Sequence, residues 1–210
     1  MRTSLLPIAK EGWNYIAYAI GFSIFFSLLD LELLSFFSFL VLMVSLYIFR
    51  NPERELVRFE NQSVVSPVDG RISSIEELED SEYAYKVIIE SKYSDVAILR
   101  TPLTGSLIST KNINGTRLSL SDTLASKINE NATLIFQNEE GNKIKISHYL
   151  DRSFCNLSIN VSESQKLFQS ARYGLMLSGE TIIYLPQNFR LNVSVGNELT
   201  ASESLIGYFS

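Results

Sequence analysis

Two long segments without a charged residue lie near the N-terminus, and they limit what this chain can fold into. Residues 13–29 read WNYIAYAIGFSIFFSLL and residues 33–49 read LLSFFSFLVLMVSLYIF, with only residues 30–32 between them. Neither segment has the polar face of a helix that packs on a soluble domain. Each would form a helix of about 25 Å, which is short for a bilayer core of about 30 Å. The pattern predicts a hairpin of two helices that either spans the membrane or enters it and returns.

Positive charges on both sides of these segments predict the orientation of the hairpin. Arg2 and Lys10 precede the first segment, Arg50, Arg54 and Arg58 follow the second, and the short connection is acidic. By the positive-inside rule, both ends lie in the cytoplasm. No small-residue cleavage site separates the segments, so we do not expect a signal peptide. The sequence therefore predicts a membrane anchor over residues 1–58, and a helical pair buried in a soluble fold is the alternative.

The remaining residues, 59–210, have the composition of a mostly-β domain. Short runs that alternate or are rich in β-branched residues are separated by turns containing glycine or asparagine. Residues 116–131 predict either one helical turn or a loop. We expect a small barrel or sandwich that follows the transmembrane or re-entrant hairpin. The predicted strands are YKVIIES (85–91), TLIFQN (133–138), KIKISHYL (143–150), TIIYLP (181–186) and RLNVSV (190–195).

Charge and composition exclude several kinds of site. The net charge is −5 with both signs interspersed, so we expect no nucleic-acid partner. Cys155 is the single cysteine and His148 the single histidine, which excludes an internal disulfide and argues against a metal site. His148 falls on the same strand face as Ile144 and Ile146, as a core histidine would. The other interpretation makes it a base that serves a site from a neighbouring strand.

Four short stretches together resemble the phosphatidylserine decarboxylase family, in its short form with an N-terminal membrane hairpin. FRNPER (49–54) is similar to the family pattern F-R-D-P-x-R, and VVSPVDGRI (64–72) to S-P-x-D-G-x-[IV]. DVAILRTPLTG (95–105) is similar to D-V-H-x-N-R-x-P-x-x-G. ARYGLMLSGETIIYLP (171–186) resembles R-x-G, then a G-S pair, then an apolar strand that ends in proline. The stretches come in family order and cover almost the whole chain.

The resemblance implies a particular chemistry and particular residues. Members cut themselves before the serine of the G-S pair and convert it to a pyruvoyl group, which holds the substrate amine while carbon dioxide leaves. Carried onto this chain, cleavage falls between Leu177 and Ser178, and a pyruvoyl cofactor arises only if Ser178 is processed. Asp69 matches the aspartate that orients the family histidine. Arg100 and Arg172 are the candidates for contact with the substrate.

The family histidine, which serves as the base for self-cleavage, is missing. Ala97 stands in its place, and Leu99 replaces the asparagine that follows in the pattern. Removal of a general base typically lowers a rate by about 10²–10⁴. Because self-cleavage happens once per molecule, Asp69 acting directly or through a water is an alternative route.

The glycine before the serine is also missing, because the order here is Leu177-Ser178-Gly179. Counting from Arg172 puts the family serine near Glu180, whereas counting back from the final proline of the motif puts it at Ser178. A bulky residue before the serine hinders approach to its carbonyl. Ser178 is therefore either the nucleophile of a slow reaction or an ordinary turn residue.

Three hypotheses for function follow. The first is a homologue impaired in self-processing, which keeps a site for a membrane aminophospholipid and forms homo-oligomers or associates with an intact homologue. The second is an active pyruvoyl-dependent decarboxylase that converts phosphatidylserine to phosphatidylethanolamine. The third is a membrane-anchored adaptor with a lipoyl-like hairpin, although no lysine for attachment follows Lys166. The resemblance implies the bacterial inner membrane, with the main domain on the cytoplasmic side.

Overall fold

The chain forms two compact units, Met1–Glu53 and Arg54–Ser210. A computed structural model describes most of the residues in both. The domain boundary predicted at residue 58, and the charges Arg2 and Arg58 used for the orientation, lie outside the described residues. The described residues are 7–54, 62–79, 82–122 and 124–210.

The N-terminal unit is a helical hairpin. Helix α1 is Trp13–Leu28 and helix α2 is Glu32–Ile48, preceded by a 3-10 turn. The two ends of the hairpin are joined by backbone hydrogen bonds, of which the bond from Ala9 N to Phe49 O measures 2.8 Å. The hairpin predicted from the two apolar segments is therefore present, with bounds within a few residues of those expected.

Most side chains of α1 and α2 expose apolar surface within this unit, for example Phe22, Phe36 and Leu33. The helices contain 16 and 17 residues. Among the described residues, no helix is both long enough and apolar enough to span a membrane. The spanning form of the predicted hairpin is therefore not supported, and the re-entrant form stays a prediction.

The described residues of the second unit form antiparallel strands in three sheets and one short helix. The largest has eight strands in the order β13-β2-β3-β11-β7-β6-β5-β9, and two sheets of three have the orders β1-β14-β12 and β4-β10-β8. One short helix, α3 (Ala125–Ile128), interrupts them. The strands are β1 Ser63–Val65, β2 Gly70–Glu77, β3 Tyr85–Ser91, β4 Ile98–Arg100, β5 Gly105–Ile113, β6 Asn131–Gln137, β7 Lys143–Leu150, β8 Ser158–Ile159, β9 Lys166–Leu167, β10 Arg172–Leu175, β11 Gly179–Leu185, β12 Phe189–Leu191, β13 Glu198–Leu199 and β14 Leu205–Phe209.

The mostly-β fold is confirmed, but the sheet does not close into a barrel. Its outer strands, β13 and β9, have two residues each and do not pair with each other. The strand expected over residues 190–195 also ends early. Asn197 accepts a hydrogen bond from Ser194 N at 2.9 Å, and this side chain holds the backbone in a turn where the alternation predicted a strand.

The core lies under the centre of the large sheet. Buried and partly exposed residues alternate along β6 and β11, so one face of each strand is buried. Ile146 on β7 is paired with Leu134 on β6 and Ile183 on β11, and all three are fully buried. This packing fixes the register of β11, the strand on which the candidate site depends.

We expect Ile146→Ala to lower the free energy of unfolding by about 2–5 kcal/mol, because the truncation leaves a cavity between two paired strands. Ile108→Ala is the matched control, since Ile108 is 42% exposed on β5 of the same sheet. It should change stability by less than about 0.5 kcal/mol. Denaturant titration followed by circular dichroism measures both. Equal losses in the two variants would contradict the assigned core.

Candidate functional site

The turn SPVDG places Asp69 between the start and the end of the second unit. Ser66 Oγ donates to Val68 O at 2.7 Å and tightens this turn. The Asp69 carboxylate accepts from Arg54 Nη2 at 2.6 Å through one oxygen and from Ala201 N at 2.8 Å through the other. The backbone N–H of Ala201 lies 132 positions further along the chain. Both carboxylate oxygens are therefore engaged in holding the fold together.

Ser178 lies between β10 and β11 and is 8% exposed. Its hydroxyl donates to the backbone oxygen of Ser91, at the end of β3, over 3.4 Å. Ser91 Oγ in turn donates to the backbone oxygen of Asp69 at 2.6 Å. The structure thus brings Ser178 and Asp69 to the same residue, but it joins them through peptide oxygens and not through the Asp69 carboxylate. Among the described residues, no carboxylate or imidazole is hydrogen-bonded to the Ser178 hydroxyl.

Ala97, at the position of the family histidine, lies close to this serine in the fold. Its backbone oxygen accepts from Met176 N at 2.8 Å, two residues before Ser178. Ala97 is buried, and a methyl group has no lone pair with which to take a proton. The position from which a base would act is therefore filled by an apolar side chain.

His148 is fully buried, and its two ring nitrogens are both engaged. Nδ1 is hydrogen-bonded to Thr181 Oγ1 at 2.8 Å and Nε2 to the Tyr173 hydroxyl at 2.7 Å. Burial lowers the pKa of His148 to about 3, so the ring is neutral at physiological pH. These contacts agree with the core interpretation of His148, and neither bond reaches Ser178.

Gly179 leaves no room for a side chain. A Cβ at this position would lie 2.1 Å from the backbone oxygen of Tyr149 on β7, which is far inside van der Waals contact. Leu177, on the other side of Ser178, is 2% exposed and packs in the interior. The backbone on both sides of Ser178 is therefore closely surrounded.

Glu180 is the residue that corresponds to the family serine when the motif is counted from Arg172. It lies directly opposite Glu90 on β3 and Tyr149 on β7. Burial raises the pKa of Glu180, and the charges of Glu90 and Asp151 raise it further. The sheet thus holds two carboxylates side by side next to the candidate cleavage site.

Arg100 lies near four other charged groups, namely Arg54, Arg172, Asp69 and Glu203. Arg100 on β4 and Arg172 on β10 are cross-strand partners. Burial lowers the pKa of Arg100 to about 10, helped by the charges of Arg172 and Arg54 and opposed by Asp69 and Glu203. Arg100 stays protonated at neutral pH, and the five groups carry a net positive charge. This arrangement favours an anion.

The sequence did not predict several of these residues as part of the site. From the sequence, Arg54 is only one of the charges that flank the apolar segments. Its position at the end of the FRNPER motif is the feature that could have indicated a role at the site. A carboxylate oxygen of Glu203 lies 3.8 Å from the Arg54 guanidinium, and no motif around Glu203 predicts this contact. No motif predicts the contact of Ser91 either, because its hydroxyl contacts a residue 22 positions away. Among the described residues, no cluster of histidine, cysteine or acidic side chains could hold a metal ion.

Comparison with known proteins finds relatives of a single family. A sequence model of the phosphatidylserine decarboxylase family matches residues 42–207. A protein named phosphatidylserine decarboxylase proenzyme from Geobacter metallireducens is 30% identical over 216 residues, covering 99% of each chain. Proteins of the same name from Geotalea uraniireducens and Desulfotalea psychrophila are 29% and 27% identical, covering 99% and 96% of this chain and the same shares of their own. The resemblance drawn from the four motifs is confirmed.

We expect Glu180→Gln to raise stability at pH 7 by about 0.5 kcal/mol, because like charges directly opposite on neighbouring strands are destabilising. The folded-state pKa of Glu180 is raised. The folded chain therefore binds this proton more tightly than the unfolded chain, and stability falls as pH rises from the unfolded value of about 4.3 through the raised one. The gain should vanish below about pH 4. Denaturant titration at both pH values measures it, with the exposed turn residue Glu139→Gln as control. An equal gain at both pH values would contradict this assignment.

Proposed function

This chain belongs to the phosphatidylserine decarboxylase family, and from that premise we propose that it is a membrane-bound relative that binds an aminophospholipid and does not cut itself. Its place is phospholipid metabolism, in which the family reaction converts phosphatidylserine to phosphatidylethanolamine. One observation carries the proposal: the Ser178 hydroxyl is bonded to a peptide oxygen and, within the described part of the chain, to no base.

Formation of a pyruvoyl group from Ser178 requires its hydroxyl to lose a proton and attack the carbonyl of Leu177. The surrounding residues do not fit that step. The Ser91 backbone oxygen accepts a hydrogen bond, but a peptide oxygen is too weak a base to keep the proton. The Asp69 carboxylate is bonded to Arg54 and Ala201. These contacts therefore do not support formation of a pyruvoyl group in this chain.

The lack of space around Gly179 also supports a chain that does not cut itself. Because a Cβ does not fit at residue 179, this position corresponds best to the glycine of the family's G-S pair. The following residue is then Glu180, which agrees with the count from Arg172. A glutamate has no hydroxyl from which the pyruvoyl group is made, so in this alignment the nucleophile itself is replaced.

The arginines support retention of a ligand site. A phosphatidylserine head group carries a phosphate and a carboxylate, and guanidinium groups bind both kinds of anion through paired hydrogen bonds. Arg100 and Arg172 lie on paired strands, and the charge of Asp69 acts on Arg100. Their net positive surroundings favour an anionic head group over a neutral lipid. Such a site suits a lipid-binding subunit that associates with an intact homologue or with a second copy of itself.

The hairpin supports a place at the membrane. Its helices expose Phe, Leu and Ile side chains, and a re-entrant hairpin would bury them among acyl chains. The basic residues Lys10, Arg50 and Arg54 flank the two apolar segments and favour a cytoplasmic location for the main domain. This placement brings the second unit to a lipid that does not readily leave the bilayer.

An active decarboxylase is the second candidate. The observation in its favour is that Ser178 and Asp69 both contact Ser91, so a water between them is a short route for a proton. No contact among the described residues favours the lipoyl-like adaptor.

Intact-mass spectrometry of the membrane-purified protein separates the first two candidates. We expect one uncut chain of 210 residues, apart from removal of the start methionine, in the wild type and in Ser178→Ala alike. A C-terminal fragment of residues 178–210 in the wild type, absent from Ser178→Ala, would overturn the proposal and establish self-cleavage. Cleavage that persists in Ser178→Ala would move the scissile bond elsewhere and would also contradict it.

We expect Asp69→Ala to lower the free energy of unfolding by about 1–3 kcal/mol, because it leaves the Arg54 charge without its closest partner. The chain mass should not change. The control is Glu76→Ala, which breaks the 3.0 Å pair with Lys86 where Glu76 is 48% exposed, against 15% for Asp69. That loss should be below about 1 kcal/mol. A change of chain mass with unaltered stability would instead give Asp69 a catalytic role.

A further inference from the structure

Three segments of the second unit are bonded together beside Ser178. Asp151 N donates to Ser178 O at 3.0 Å, and the Asp151 carboxylate accepts from Leu120 N at 3.1 Å. The Tyr93 hydroxyl donates to Arg152 O at 2.9 Å. These contacts make one continuous surface next to the candidate site, which we call the site rim. The site rim comprises the described residues of 92–95, 117–128 and 151–156.

The site rim exposes an unusual amount of apolar surface. Of the nine large hydrophobic side chains exposed among the described residues from 62 onward, four belong to it. Phe154 stacks on Tyr93 with 6.0 Å between ring centroids and 8° between planes, yet 48% of Phe154 remains exposed. Clustered exposure of this kind marks a contact surface, whereas single exposed side chains do not. The four are Leu118, Leu124, Ile128 and Phe154.

The exposed charges of the site rim are mostly positive, in a chain whose net charge is −5. Lys92, Lys127 and Arg152 are exposed, against the single exposed acid Asp122. The remaining acids are turned to the backbone: Asp95, for example, accepts from Lys92 N at 2.8 Å. With the half-buried side chains Arg117, Asp95 and Asp151 included, the site rim carries four positive and three negative charges. Its net charge is therefore opposite in sign to that of the whole chain.

We propose that the site rim docks on the surface of an anionic bilayer, with Phe154 and the neighbouring leucines among the upper acyl chains and the three cations at the phosphates. Aromatic rings and the long stems of lysine and arginine suit this interface, because each has an apolar body and a polar end. The inference rests on the proposed function, since it gives a lipid a path to the site without leaving the membrane. It assigns a second membrane contact, separate from the helical hairpin.

The test uses the full-length chain, reconstituted in vesicles of phosphatidylcholine and phosphatidylglycerol whose acyl chains carry bromine. Trp13, the single tryptophan, is replaced by phenylalanine, and one tryptophan is introduced by Phe154→Trp or by Leu124→Trp. The matched control is Val195→Trp, because Val195 is 59% exposed in the turn before β13, outside the site rim. Bromine quenches only a tryptophan that enters the acyl region.

We expect clear quenching in Phe154→Trp and Leu124→Trp and none in Val195→Trp. Lys92→Gln and Arg152→Gln, added to these variants, should each lower the equilibrium constant for docking about fivefold. Each charge contributes about 1 kcal/mol near an anionic surface. Unquenched fluorescence at both rim positions would overturn the proposal and point to a protein partner. Equal quenching at the control position would overturn it as well. Quenching does not depend on whether the chain is cut. The docking proposal and the proposal that the chain does not cut itself are therefore tested independently.

Discussion

The hydrogen bonding of β11 along both of its edges determines where everything near the site can lie. The strand pairs with β3 on one side and with β7 on the other over six or seven residues, which leaves no freedom of register. A shift by one residue would turn Ile183 out of the core and bring a side chain to the place where only Gly179 fits. Ser178 is therefore held at the start of the strand, beside the end of β3, by packing many residues away from it.

A second constraint ties the ends of the unit to its first turn. Asp69 bonds Arg54 at the beginning of the unit and Ala201 near its end, and the SPVDG backbone also accepts from Ser202 N at 2.9 Å. A carboxylate used in this way stabilises the fold. Asp69 thus joins the two ends of the second unit to its first turn.

The sequence predicted the strands well where one face is buried. YKVIIES and KIKISHYL coincide with β3 and β7, because alternation along a strand records which face is buried. Through the family motifs it named Asp69 and Ser178 as candidate site residues, and both contact Ser91. It did not predict Ser91 as their common contact, because bonds to backbone oxygens depend on the register of strands far apart in the chain. Because every residue has a backbone oxygen, residue type does not predict which of these oxygens accepts a hydrogen bond.

The surroundings of His148 show a histidine whose ring contacts are those of a core residue. A histidine that is to act as a base needs one nitrogen open to the proton it will take. His148 has both nitrogens bonded, to Thr181 and Tyr173, in a place where burial disfavours its charged form. Its contribution is to satisfy polar groups inside the sheet. The groups that hold β11 in register are therefore distinct from the groups that would have to react at Ser178, and replacement of the family histidine by Ala97 leaves that register intact.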